Sequence, residues 1–109
     1  MHVIEVRHSR NGSITVELRG ELDLSSIDEL CQTLSNVASF RCPTTIDLSQ
    51  VTFMDIQSTR ELAVRSQLYA HQVTLINPSW QVERSVEACK LGGWIRFGNG
   101  VERALEKAS

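Results

Sequence analysis

The stretch Thr45–Leu62, TIDLSQVTFMDIQSTREL, holds a strand, a short acidic loop and the start of a helix in very little chain. Ile46 and Leu48 alternate with Thr45, Asp47 and Ser49, the period of a strand with one apolar face. The loop that follows carries Asp55. Ser58-Thr59-Arg60-Glu61 has the Ser-x-x-Glu form of a capping box, which predicts a helix beginning near Ser58 with its serine as the cap. The unpaired N–H groups and positive dipole end of that helix would face the mouth of the loop, a place suited to an anion or to a partner's acidic side chain.

Upstream, His2 to His8 alternates, with Ile4 and Val6 on one side and Val3, Glu5 and Arg7 on the other. Ile14, Val16 and Leu18 repeat the pattern between Thr15, Glu17 and Arg19. Asn11-Gly12 between them favours the positive backbone angles of a tight turn, so the two strands should form an antiparallel hairpin. From Ser26 the apolar spacing becomes helical, through Ile27, Leu30, Cys31, Leu34 and Val37, and Ser26 to Glu29 is a second capping box. Downstream, the spacing predicts a helix to about Ala70, a strand Val73–Asn77, a helix over about Ser79–Ala88, a strand Trp94–Phe97 and a last helix from about Asn99. Pro78 suits the first turn of the third helix, and Gly92-Gly93 suits a helix stop and turn.

None of these strands is the continuous apolar run that a sheet covered on both faces requires. The expected fold is therefore α/β: a mixed sheet of four or five strands, antiparallel in the N-terminal hairpin and parallel across the crossovers, with four helices mainly on one face. Thr15, Glu17, Arg19, Thr45 and Asp47 would line the wetter face. The 109 residues suit one domain, 1–109, with an ordinary core.

The chain has 11 basic and 13 acidic residues, interspersed, for a net charge of -2. No basic stripe marks a nucleic-acid partner. No apolar run approaches the roughly 20 residues of a membrane span, and the N-terminus lacks a signal peptide's apolar block, so a cytoplasmic protein is expected with no direct membrane insertion. Cys31, Cys42 and Cys89 lack metal or redox spacing, and Cys31 and Cys89 fall on apolar helix faces as reduced thiols. His2, His8 and His71 are scattered, and no glycine-rich phosphate loop or nucleophile motif is present. No enzyme activity, cofactor or metal is expected. Trp80 and Trp94 read as partial core or edge residues.

If the second and third strands run parallel, the loops after them become neighbours. Gly20-Glu21-Leu22-Asp23 would then meet Phe53-Met54-Asp55 beside the N-terminus of the Ser58 helix, forming an acidic rim. A phosphate added there would accept from the helix N-terminus and repel acidic groups, which is the logic of a switch. Asp23 and Asp55 equally fit a local role as acceptors for loop amides.

Four segments in order carry a resemblance to the STAS domain, and within it to the bacterial anti-sigma factor antagonists. They are Val16–Asp23 (VELRGELD), Ile46–Asp55 (IDLSQVTFMD), Leu75–Ser79 (LINPS) with Val82 and Arg84, and Leu91-Gly92. The resemblance implies a mixed sheet with helices on one side and a protein that binds rather than catalyses. It implies as partner an anti-sigma factor, a histidine-kinase-like ATPase, which the antagonist sequesters until that kinase phosphorylates it. The family's phosphoacceptor is a serine or threonine in an Asp-Ser-Ser/Thr-Gly-like segment. Here the segment reads Asp55-Ile56-Gln57-Ser58, so Gln57 stands at the acceptor position and Ser58 replaces the glycine. Either no phosphate is accepted, or Ser58 or Thr59 takes it after a short shift. The partner surface implied is Glu21, Asp23, Asp55, Gln57, Ser58, Thr59 and Arg60, on a monomer or weak homodimer. The family also supplies accessory subunits of membrane transporters, including a lipid-transport ABC complex, and that role is the alternative.

Overall fold

The computed structural model describes residues 1–95 and 97–98. Its elements are β1 (His2–His8), β2 (Ile14–Leu22), α1 (Ile27–Ser39), β3 (Thr44–Met54), α2 (Ile56–Leu68), β4 (Val73–Ile76), α3 (Trp80–Ala88) and β5 (Phe97–Gly98). The strands form one sheet in the order β1-β2-β3-β4-β5, antiparallel between β1 and β2 and parallel thereafter. This is the mixed sheet that the alternation predicts. The helix expected from Asn99 lies outside the described residues. β5 is displaced from the expected Trp94–Phe97, since Trp94 sits in the turn before it.

The hairpin closes through Arg10, Asn11 and Gly12. Ser9 N–H donates to the Ser13 carbonyl at 2.8 Å, and Gly12 N–H to the Ser9 carbonyl at 3.1 Å. Gly12 takes the positive φ of 85° that closes a three-residue hairpin loop.

One face of the sheet is buried. Ile14, Val16, Leu18, Ile46, Leu48, Val73 and Leu75 meet Leu30, Leu34 and Val37 of α1, Leu62 and Ala63 of α2, and Val82 and Val86 of α3. Their intervening neighbours Thr15, Glu17, Arg19, Thr45 and Asp47 are half-buried on the open face. There Glu5, Arg7, Glu17 and Arg19 close a ring of ion pairs at 2.8 to 3.1 Å. The hydrogen bond from Arg7 is the main reason the Glu5 carboxyl is held below the usual carboxylate range. Such solvated pairs add little stability but keep that face hydrophilic.

The strands run further than the alternation suggests. β2 continues through Gly20 to Leu22, and β3 through Val51 to Met54, where loops were expected. Glu17 lies opposite Asp47 and Leu22 opposite Met54, so five steps along β2 match seven along β3. Two bulges in β3 take up the difference, and each shifts the side-chain phase by one residue. The buried positions of β3 are consequently Thr44, Ile46, Leu48, Val51 and Met54, with spacing that lengthens from two to three. Gly20 has φ +83°, and a Cβ there would lie 2.3 Å from the Met1 carbonyl oxygen. Only glycine fits that approach.

The helix ends also depart from expectation. Ser26 flanks α1 but makes no side-chain cap. Its hydroxyl instead accepts from Asp23 N–H and donates to the Asp23 carbonyl, both at 3.0 Å. Pro78 precedes the cap of α3, which is Ser79. That helix stops before the two glycines. Lys90 turns left-handed at φ 57°, with Lys90 N–H bonded to the Glu87 carbonyl and Leu91 N–H to the Val86 carbonyl, a Schellman closure on a non-glycine residue.

Candidate functional site

The pairing of Leu22 with Met54 brings the β2 and β3 exits side by side, and Asp55 N–H donates to the Leu22 carbonyl at 3.0 Å. The turns bearing Asp23 and Asp55 are therefore neighbours, as parallel strands require. In the first, Asp23 Oδ1 accepts from Ser25 N–H at 2.9 Å and from Ser25 Oγ at 2.5 Å. These bonds, led by the hydroxyl, hold the Asp23 carboxyl below the usual range. Glu21 is exposed, 3.8 Å from the chain's amino terminus.

In the second turn Asp55, not Ser58, caps α2. Its Oδ1 accepts from Ser58 N–H at 2.7 Å, and the helix begins at Ile56. The capping-box reading thus placed the cap three residues late. Ser58 occupies the third helical position and is fully buried, and its Oγ is the one buried side-chain oxygen or nitrogen without a hydrogen-bond partner among the described residues. Thr59 is equally buried, and its hydroxyl donates to the Asp55 carbonyl at 2.7 Å. Ile56, Gln57 and Arg60 are exposed.

Of the seven residues the sequence points to, Glu21, Gln57 and Arg60 are exposed and the half-buried Asp23 and Asp55 border them. Ser58 and Thr59 are sealed beneath that surface, which corrects the expectation that they face a partner or a kinase. Both aspartates also serve local amides, so the structural role and a place on the rim coexist.

An apolar surface accompanies the acidic turns. Leu24, Phe53, Ile56 and Trp80 are 71%, 49%, 60% and 63% exposed. They border two clefts of about 610 and 440 Å³ that share Phe53, Met54, Ser85 and Ala88. Trp80 is not a core residue: its ring lies 5.9 Å beneath the Arg84 guanidinium. Trp94, likewise read as core or edge, is 55% exposed. The sequence did carry a signal for this surface, since Phe53 lies two residues before Asp55 and Ile56 directly after it. Strict alternation from Ile46 and Leu48 already turns Phe53 outward, because the two bulges together restore the phase.

A cleft of about 730 Å³ opens at the opposite end of the sheet, lined by Arg41, Tyr69 and His71 among others, away from both acidic turns. Among the described residues no group of three or more His, Cys, Asp or Glu could hold a metal ion. No helix among them is long and apolar enough to cross a membrane. The three cysteines are free thiols, and burial is the main cause raising the Cys31 thiol above its ordinary value.

The family model for the STAS domain matches residues 4–104. Solved structures share the fold. An anti-sigma factor antagonist from Mycobacterium paratuberculosis superposes with TM-score 0.78 at 20% identity, over 98% of this chain and 93% of that one. The phosphorylated form of the Bacillus cell fate determinant SpoIIAA gives 0.65 at 17% identity, over 98% and 100%. An antisigma-factor antagonist STAS domain from Rhodobacter sphaeroides gives 0.55 at 16%, over 71% and 87%. No curated protein matches the chain in sequence.

Proposed function

Because the chain belongs to the STAS domain family, we propose that it acts as an anti-sigma factor antagonist that sequesters a kinase-type anti-sigma factor in the cytoplasm and performs no catalysis itself. The observation that carries this reading is the adjacency of the Asp23 and Asp55 turns around the exposed first turn of α2. Parallel strand exits place loop residues on a rigid frame, which is how binding residues are held without ordering cost at the moment of docking. Glu21, Asp23 and Asp55 supply the acidic side of the surface, Gln57 and Arg60 its centre.

The antagonist works in a single unmodified state. Gln57 has no hydroxyl to accept phosphate, and Ser58 and Thr59 are withheld by complete burial. Incubation with the cognate kinase and ATP, followed by intact mass, should add nothing. A single added phosphate mapping to Ser58 or Thr59 would show that the first turn of α2 opens to a kinase and would overturn this account. Co-purification from the native cell distinguishes the partner class. A histidine-kinase-like ATPase supports sigma regulation, whereas an ABC-type ATPase assigns the chain to a transporter as an accessory subunit.

A further inference from the structure

The geometry points to α3 and the end of β3 as a docking groove for an amphipathic helix of a partner protein. This inference rests on the binding role proposed above and deepens it by specifying the partner's chemistry. The two clefts adjoin at Phe53, Met54, Ser85 and Ala88 and together make up the proposed trough, with Leu24 and Ile56 lining one part and Trp80 and Arg84 the other.

The occupant must bring its own satisfied backbone, because the Leu48, Val51 and Met54 carbonyls on this edge of β3 are already taken by α3 and its cap. Beyond Asp47, the last β3 residue paired with β4, the other side of β3 is closed by α3. Ser79 N–H donates to the Leu48 carbonyl at 3.3 Å, Ser79 Oγ to the Val51 carbonyl at 2.7 Å and Ser85 Oγ to the Met54 carbonyl at 3.2 Å. An extended peptide laid along this edge would leave its own amides unpaired as it dried the surface. A helix pairs its amides internally and presents only side chains, the mode by which apolar faces recognise grooves.

Charge sets the remaining requirement. Asp55 lies at the Leu24 end and Arg84 at the Trp80 end. A complementary helix therefore carries apolar residues at i, i+3 or i+4, and i+7, a basic residue at the end over Asp55 and a carboxylate at the end over Arg84. Trp80 with Arg84 has the composition in which interface energy concentrates.

The test uses the intact chain, immobilised, and a phage-displayed library of random peptides of roughly 15 residues, long enough to complete several helical turns on binding. The expected outcome is enrichment of peptides with that apolar spacing and charge polarity. Synthetic copies should gain helical circular dichroism on binding and lose affinity about tenfold or more against F53E and W80E, while V64E, on the outer side of α2, leaves binding intact. R84E should discriminate specifically against the carboxylate-bearing end. Thermal melts check the variants, with F53S replacing F53E if the charge unfolds the protein. No enrichment, strand-like alternating sequences, or binding indifferent to Phe53 and Trp80 would overturn the proposal. So would a dimer in sedimentation that F53E dissolves, since the trough would then belong to a second copy. No sigma regulator enters this assay, so its failure is distinct from failure of the anti-sigma reading.

Discussion

Replacing Ser58 with alanine should stabilise the protein, although it removes a polar group from the helix nearest the binding surface. The hydroxyl is fully buried and has no partner among the described residues. An unsatisfied buried hydroxyl costs roughly 1–3 kcal/mol in lost hydration. Alanine also raises helix propensity by up to about 0.5 kcal/mol, and the space vacated by one oxygen gives a little back. The net expectation is a gain of about 1–2 kcal/mol. For a domain of this size each kcal/mol moves the melting midpoint by about 4–8 °C, so S58A should melt about 5–15 °C higher. Urea unfolding should show a raised midpoint at unchanged slope. Ser58→Gly removes the same oxygen but gives up about 1 kcal/mol of helix propensity relative to alanine, and so should fall between wild type and S58A. Partner capture should be unaffected by either variant. A melting point equal to or below wild type for S58A would mean that the hydroxyl is satisfied, by trapped water or by a different first turn, and the reasoning would fail.

The other expectations follow from the same contacts. Asp55→Ala deletes the cap on Ser58 N–H and should cost about 1 kcal/mol by urea titration, with Asp55→Asn recovering most of it. Gly20→Ala forces a Cβ against the Met1 carbonyl at a positive φ and should destabilise by at least about 1 kcal/mol in the same assay. Asp23 has a depressed folded pKa because Ser25 donates to it. Its stabilising contribution is therefore complete above the unfolded carboxylate pKa and is lost as pH falls through the folded value. Asp23→Asn should flatten that acid limb of the stability profile. Asp23→Lys should weaken partner capture in a pull-down while lowering the melting temperature only slightly, because the bonds it loses are those from Ser25 in the same solvent-facing turn; loss of folding would make the residue structural.

Much of this architecture was legible in residue order alone. Alternation at Ile14, Val16 and Leu18, and again at Ile46 and Leu48, marks strands with one apolar face. Helical spacing between them demands a crossover, and a crossover makes the two strands parallel. Parallel strands leave the sheet at one edge, so the adjacency of the Asp23 and Asp55 turns followed from connectivity. Tertiary pairing decided the rest. The bulges of β3 arise because seven of its steps are matched to five of β2, a relation between distant segments that no local period encodes. They carry Val51 inward and leave Gln50 and Thr52 exposed, where strict alternation would bury those two. The cap of α2 was ambiguous locally, since Asp55 and Ser58 both have the chemistry for it. Burial of the Ser58 side chain beneath the first turn left Asp55 as the residue able to reach the free N–H. Exposure of Trp80 was likewise settled by packing, because α3 turns Val82 and Val86 to the core and its seat on β3 through Ser79 and Ser85 leaves the indole outside. Local pattern specifies which faces are apolar; only the assembled sheet determines which of them are covered.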